Sequence, residues 1–329
     1  MYKIAVISGD GIGREVMDAC EHLLDKLDLN FSFKYGEAGF DCFNKNGTTL
    51  PEETLKIAKK SDATLFGAST STPGEPSPII NLRKQLNVYA NLRPIKSYKG
   101  VKSLHEDIDF LIVRENTEGL YSQKEYVDGD KVMAERIITK SASEKISEIA
   151  FKQCIKRNNS KVTCVHKSNV LKKTDGVFKE SFYKIAEKYP QIKTEDFYVD
   201  ATAMYLITQP QNFEVIVSTN LFGDILSDES AGLVGGLGLA PSGNIGDDNG
   251  LFEPVHGSAP DITGKNIANP CSMILSASMM LEYLGETEIA KNINNAVEKV
   301  VADGKTLTPD LGGNAKTMDV CKAIENELI

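Results

Sequence analysis

Short apolar runs recur along the chain, and longer stretches of mixed polarity separate them. Lys3 to Ile7, Ala63 to Phe66, Phe110 to Val113, Val162 to Val165 and Val215 to Val217 have the length and content of strands. Between them, Pro51 to Lys60, Ala142 to Lys156 and Thr174 to Lys188 place apolar residues at helical spacing and charges elsewhere. Strands alternating with helices predict an α/β protein with a largely parallel sheet. Ser272 to Leu284 is apolar nearly all round and predicts a buried helix, with Met279 and Met280 as core filler rather than a binding surface. Two stretches break the pattern. Thr70 to Pro78 is rich in proline, and Pro241 to Asn249 is rich in Gly, Asn and Asp. Both read as loops, where binding residues concentrate.

A length of 329 residues accommodates two domains, or one large α/β domain with two lobes. The net charge of −9 leaves no basic excess to neutralise a nucleic-acid backbone, so no nucleic-acid partner is expected. Local arginines could still hold a small anion. No apolar run approaches the roughly 20 residues of a membrane helix, and no membrane association is expected. The six cysteines lie far apart without a C-x-x-C pair, which argues against a disulfide framework and structural zinc. Reduced thiols and a direct entry into Lys3 to Ile7, without a signal-peptide pattern, give a cytoplasmic expectation.

Candidate chemistry is scattered. Gly9-Asp10-Gly11-Ile12-Gly13 follows a strand, but its G-x-G-x-G spacing departs from the dinucleotide fingerprint and reads better as a tight strand-to-helix turn. Asp224 and Asp228, if helical, sit one turn apart on one face with no lysine nearby to relieve them. They fit a site for Mg²⁺ or Mn²⁺, and equally a solvated acidic face. Arg83, Arg93 and Arg114 could grip a substrate with several carboxylates or make unrelated ion pairs. Lys167 ends a predicted strand, where it could move a proton or simply be solvated. The Tyr121 phenol is an acid or a core hydroxyl. His256-Gly257-Ser258-Ala259-Pro260-Asp261-Ile262 is a loop whose aspartate could accept both hydroxyls of an adenosine ribose and repel a 2′-phosphate.

The order of these pieces resembles the β-decarboxylating dehydrogenases, the family of isocitrate, 3-isopropylmalate, homoisocitrate and tartrate dehydrogenases. The resemblance runs from Gly9 to Gly13 through Leu82-Arg83, Arg93-Pro94, Arg114 to Glu118 and His166 to Asn169. It continues through Asn220 to Asp228, Gly235 to Gly238, Glu253 to Asp261 and Thr308 to Gly313. It implies a two-lobed isopropylmalate dehydrogenase-like α/β fold with a shared mixed sheet, not a Rossmann fold. Residues 1–88 and 235–329 would form the cofactor-binding lobe, and 89–234 an inserted lobe for substrate and dimerisation. The resemblance further implies a homodimer with shared active sites, NAD, and Mg²⁺ or Mn²⁺. Arg83, Arg93 and Arg114 would hold the malate-type carboxylates, with Ser77, Ile79 and Asn169 also at the substrate. Asp224 and Asp228 would ligate the metal together with Asp200 from the partner subunit. Lys167, also from the partner, would take the proton of the 2-hydroxyl, and Tyr121 would return one to carbon after CO₂ leaves. His256, Gly257, Ser258, Ala259, Asp261, Ile262 and Asn269 would hold the cofactor, and the family's NADP-dependent members commonly carry Lys-Tyr in place of Asp261-Ile262.

Substrate choice is expected from the residues before Arg83. Ser77-Pro78-Ile79-Ile80 looks like homoisocitrate dehydrogenases, and Ser77 could bond a distal carboxylate. The apolar pair Ile79-Ile80 could instead serve an isopropyl group, and Ile79 stands where isocitrate enzymes have asparagine. The expected order is homoisocitrate or a longer homologue, then 3-isopropylmalate, then isocitrate. A non-catalytic regulatory subunit is the competing class, and it would have lost residues such as Lys167, Tyr121, Asp200, Asp224 or Asp228, all present here.

Overall fold

The computed structural model describes residues 1–328. The chain divides into two compact units. Unit 1 comprises Met1–Val88, Ser97–Glu106 and the chain from Val234 on, and unit 2 comprises Tyr89–Lys96 and Asp107–Leu233. Ser97–Glu106, inside the span expected for the inserted lobe, thus falls in unit 1.

With elements numbered along the whole chain, unit 1 carries β1 (Tyr2–Gly9), β2 (Phe31–Tyr35), β3 (Ala63–Ala68), β11 (Pro241–Ile245) and β12 (Gly250–Pro254). They run in the order β2-β1-β3-β12-β11, parallel except where β11 meets β12. Ile4 and Val6 enter one core cluster with Leu65 and Phe252. Ala5 and Ile7 enter a second cluster with Phe66 and Leu251. A strand covered on both faces needs apolar residues at successive positions, which is why these strands read as unbroken runs. Helices α1 (Gly13–Leu24), α9 (Cys271–Tyr283), α10 (Thr287–Asp303) and α11 (Thr317–Asn326) supply the first cluster. Helices α3 (Glu52–Lys60) and α4 (Pro78–Gln85) supply the second, while the short α2 (Phe40–Asn46) follows β2. The buried helix predicted over Ser272 to Leu284 is α9; Met280 is fully buried and Met279 packs against the core.

The Pro241 to Asn249 stretch departs from expectation. Its first five residues form β11, buried and paired with β12. Asn244, a turn-former by composition, instead donates its side-chain amide to Leu251 O and Glu253 Oε1, at 3.0 and 2.8 Å.

Unit 2 carries β4 (Ala90–Lys96), β5 (Asp109–Glu115), β8 (Lys161–His166), β9 (Lys193–Tyr198) and β10 (Val215–Ser218). Their order is β4-β5-β10-β8-β9, with β4 antiparallel to β5 and the rest parallel. Helices α5 (Lys140–Lys156), α6 (Thr174–Ala186), α7 (Val199–Thr208) and α8 (Asn220–Leu233) accompany them. Thr139 opens α5 by accepting the Ala142 N–H on its hydroxyl at 3.2 Å, satisfying one of the helix's orphan donors. Phe151 of α5 stacks on Phe182 and Tyr189, with ring centroids 5.4 and 4.9 Å apart. A separate antiparallel hairpin, β6 (Glu125–Asp128) and β7 (Lys131–Ala134), is largely exposed. The antiparallel strands β4 and β11 set both units apart from an all-parallel dinucleotide fold.

Candidate active site

The acidic pair lies where helical spacing put it, on one side of α8. What relieves it comes from neighbouring strands rather than its own helix. Arg114 from β5 is almost wholly buried, at 1% exposure, and donates through Nη1 to Asp224 Oδ1. Arg93 from β4 reaches Asp224 Oδ1 at 3.2 Å and donates to Asp228 Oδ1 at 2.8 Å. The Tyr121 hydroxyl donates to Asp224 Oδ2, and the Arg114 guanidinium stands 4.9 Å over the Tyr121 ring. Burial, reinforced by the Asp224 carboxylate, raises the phenol above its ordinary value, so it stays protonated at neutral pH. Burial also raises the Asp228 carboxyl, with Arg93 opposing and Asp224 adding to the shift.

Each arginine is itself held. Arg93 donates from Nε to Asn91 Oδ1 at 2.8 Å and from Nη1 to Ser227 Oγ at 2.7 Å. Arg114 donates from Nε to the Asn220 carbonyl at 3.0 Å and from Nη2 to Asn220 Oδ1 at 2.7 Å. Gly223 lets α8 come this close, because a Cβ there would lie 2.9 Å from Arg114 Cβ and Cγ. None of these four supporting residues was singled out in the sequence. Their signal was position, since Asn91 flanks Arg93 and Asn220, Gly223 and Ser227 sit inside the Asn220 to Asp228 stretch.

Lys167 follows β8. Its backbone N–H donates to Asp175 Oδ2 at 2.6 Å, and its ammonium donates to Asp200 Oδ1 at 2.5 Å. That bond from Lys167 holds the Asp200 carboxyl below its ordinary value. Asn169, two residues on, is exposed in the turn. Within one chain, then, Lys167 and Asp200 pair with each other. No group of three or more His, Cys, Asp or Glu side chains able to hold a metal ion occurs among the described residues. Asp224 and Asp228 supply two hard carboxylates, and the Asp228 side chain, bonded to Arg93 through Oδ1, is 54% exposed. Those donors fit a divalent cation that takes its remaining oxygens from elsewhere.

In unit 1, Arg83 sits in the last turn of α4 and gives both Nε and Nη2 to Glu253 Oε1, at 3.1 and 2.6 Å. Glu253 belongs to β12 and was not singled out from sequence. Ser77 immediately precedes α4, and Ile79 is half-buried against the second core cluster. Ile80 precedes Arg83 by three positions, the spacing of neighbours on one helix face.

The His256 to Ile262 loop leaves β12 and ends in a 3₁₀ turn, Pro260–Ile262. Ser258 anchors it, since its carbonyl accepts the Ile12 N–H at 2.9 Å and its hydroxyl accepts that of Thr70 at 2.8 Å. Gly11 must be glycine here: its φ is +57°, and a Cβ would lie 2.1 Å from the Ser258 carbonyl oxygen. The Gly9 to Gly13 motif is therefore a packing turn against this loop. Ala259 has φ +40° and packs partly on the core beside Ile262; Gly257 and Asp261 are exposed. His256 Nε2 is buried without a hydrogen-bond partner among the described residues, and burial lowers this imidazole's pKa, leaving it neutral. An orphaned buried nitrogen at a loop mouth fits a polar ligand such as an adenine. Asn269 is buried, donating to Asp310 Oδ2 and accepting the Cys271 N–H, both at 3.0 Å.

Two arginines, two carboxylates and a protonated phenol thus lie in one cluster. Residues 3–326 match the family described as isocitrate/isopropylmalate dehydrogenase. The 3-isopropylmalate dehydrogenase of Methanothermobacter thermautotrophicus is 56% identical over 326 residues, covering 99% of this chain and 98% of that protein. The homoisocitrate dehydrogenase of Methanocaldococcus jannaschii is 51% identical over 342 aligned positions, covering 99% and 97%. A crystal structure of isocitrate dehydrogenase from Methylococcus capsulatus superposes with a TM-score of 0.96 at 42% identity, covering 100% of this chain and 99% of that one. The chain belongs to the isocitrate/isopropylmalate dehydrogenase family, and it is a β-decarboxylating hydroxy-acid dehydrogenase. The order of substrates expected from Ser77 to Ile80 is not confirmed: the 56% relative carries the 3-isopropylmalate name and the homoisocitrate enzyme stands at 51%, which fits the second expected substrate better than the first. Short apolar motifs before the first arginine serve either side group, so they rank the two poorly. Among the described residues, no helix is long and apolar enough to cross a membrane.

Proposed function

We propose that the protein oxidises and decarboxylates 3-isopropylmalate with NAD and Mg²⁺ or Mn²⁺, as a homodimer with shared active sites. The observation that carries this reading is the Asp224 carboxylate held between Arg93, Arg114 and the Tyr121 hydroxyl. Two arginines balance two aspartates, so a dianionic substrate and a dication can enter together without changing the site's net charge. The arginines then take the substrate carboxylates bidentately. The cation would supply Lewis acidity at the C2 oxygen and its adjacent carboxylate. NAD would supply the hydride acceptor, its ribose hydroxyls on Asp261 and its adenine near His256 and Asn269. The partner subunit's Lys167 takes the C2 hydroxyl proton as hydride leaves C2. CO₂ leaves C3, and Tyr121 delivers a proton to that carbon, which its raised pKa keeps available. The 3-isopropylmalate name of the 56% identical relative supports this substrate over homoisocitrate.

Dimerisation is supported by exposed apolar side chains: Ile225 on α8 and Met204 and Ile207 on α7 are each about half exposed, as is Tyr126 of the β6–β7 hairpin. NADH formation with Mn²⁺ and a panel of 2-hydroxy acids tests the reading. The highest kcat/KM should belong to 3-isopropylmalate, homoisocitrate should follow, and EDTA should abolish turnover. Turnover unaffected by EDTA, or none on any acid from a folded dimer, would refute it.

A further inference from the structure

Lys167 is held by more than its side chain. Asp175, fully buried in the first turn of α6, accepts the Lys167 N–H on Oδ2 at 2.6 Å. Its Oδ1 accepts from Arg136 Nη1. An acidic residue in a first turn ordinarily faces its own helix's free amides, but both oxygens of Asp175 are committed elsewhere. Arg136 goes further. Its Nη1 also reaches Thr174 Oγ1 at 2.8 Å, its Nη2 donates to Thr219 Oγ1 at 3.1 Å, and its guanidinium lies 5.2 Å over the Phe222 ring. Thr219 directly precedes α8, and its carbonyl accepts the Gly223 N–H at 2.9 Å in that helix's first turn. A second contact fixes the next residue, since the Ser168 N–H donates to His166 Nδ1 at 3.2 Å. His166 Nε2 bonds Asp196 Oδ2 at 3.0 Å, so the tautomer with hydrogen on Nε2 satisfies both neighbours.

We propose that Asp175 and Arg136 are positioning residues that fix the backbone of Lys167 relative to the start of α8. A buried carboxylate on the Lys167 amide removes the rotation of the β8 end that would swing the ammonium. The arginine ties the same backbone to the start of α8 in its own subunit, whose Asp224 and Asp228 belong to the other of the two shared sites. The inference rests on the assignment of Lys167 as the base in the reading above. An ion pair that only stabilises unit 2 would leave kcat of the folded protein unchanged.

The experiment measures kcat and KM of Asp175→Asn and Arg136→Gln in the parental protein and in Lys167→Ala. Asparagine cannot accept from both the amide and the guanidinium, while glutamine removes the charge and keeps a donor, so one variant can serve if the other fails to fold. In the parental background, kcat should fall on the order of 10²-fold, the scale of an ångström-level misplacement, with KM for the hydroxy acid changing less than about threefold. In the Lys167→Ala background the same change should cost less than about twofold, because the group it positions is gone. Equal losses in both backgrounds, or no loss in the parent, would overturn the proposal. A Lys167→Ala protein as active as the parent would instead overturn the base assignment itself.

Discussion

At the scale of single residues, the site is an exercise in keeping buried charge partnered. Nothing on their own helix relieves Asp224 and Asp228, which is why the sequence shows them unpartnered. Relief comes from β4 and β5, which bring Arg93 and Arg114 against α8 from more than 100 positions away. Tyr121 adds a proton that its burial retains. Tyr121→Phe removes that proton while keeping the ring under Arg114, so kcat should drop on the order of 10²–10⁴-fold while the protein stays folded. Steady-state kinetics beside a melting curve checks it, and a variant with parental kcat would refute the acid role. The imidazoles give a pH prediction. Burial lowers both His166 and His256 from the ordinary 6.5, His166 despite the upward pull of Asp196. As pH falls through about 6.5 the unfolded chain takes protons that the folded chain refuses. Stability from these two groups is therefore complete above that value and is lost as pH falls toward their folded values. Urea midpoints measured from about pH 7.5 to 5.5 should fall, and a His166→Gln, His256→Gln double variant should fall less. An equal slope in both proteins would contradict this.

At the scale of elements, the strands that read as unbroken apolar runs were the legible ones. The strands β1, β3, β5, β8 and β10 were legible because they are covered and read as apolar runs. β2 and β9 lie at the ends of their strand orders, and Lys193-Thr-Glu-Asp-Phe-Tyr is polar for that reason, so no apolar run announced it. β11 was hidden by glycine and asparagine whose polar groups are satisfied inside the fold. For the site, ordered motifs pointed to Arg93, Arg114, Tyr121, Asp224 and Asp228, which the structure brings together, and to Lys167, which it pairs with Asp200 instead. Their holders were not legible, because Asn91, Asn220 and Glu253 act through tertiary geometry that spacing does not encode. Gly223 shows what that geometry demands of α8. In Gly223→Ala the added methyl would meet Arg114 Cβ and Cγ at 2.9 Å, near the backbone where neither atom can swing away. The helix must retreat from β5, costing about 1–3 kcal/mol of stability. Arg114 would lose its Asn220 partners, so KM for the hydroxy acid should rise more than kcat falls. A crystal structure or kinetics of the variant matching the parent would show that α8 tolerates the methyl.

At the scale of the whole molecule, the same chain holds Lys167 with Asp200 and, separately, Asp224 with Asp228. Two carboxylates are a sparse ligand set for a divalent cation, which takes six or more oxygens. Under the proposed dimer, each site joins one subunit's Asp224 and Asp228 with the partner subunit's Lys167 and Asp200. Complementation distinguishes this from sites completed within one chain. Asp200→Asn and Asp224→Asn homodimers should each be inactive. Unfolding and refolding them together would make half of the dimers hybrids, if subunits pair at random. In a hybrid, the site built on the intact Asp224 meets the intact Asp200 of the other chain, while the second site carries both lesions. One sound site in half of the dimers restores about one quarter of parental activity. If each site were completed within its own chain, every site in the mixture would still carry one lesion. Activity that stays at the level of the single variants after verified hybrid formation would therefore exclude the shared site, and with it the role proposed for Asp200.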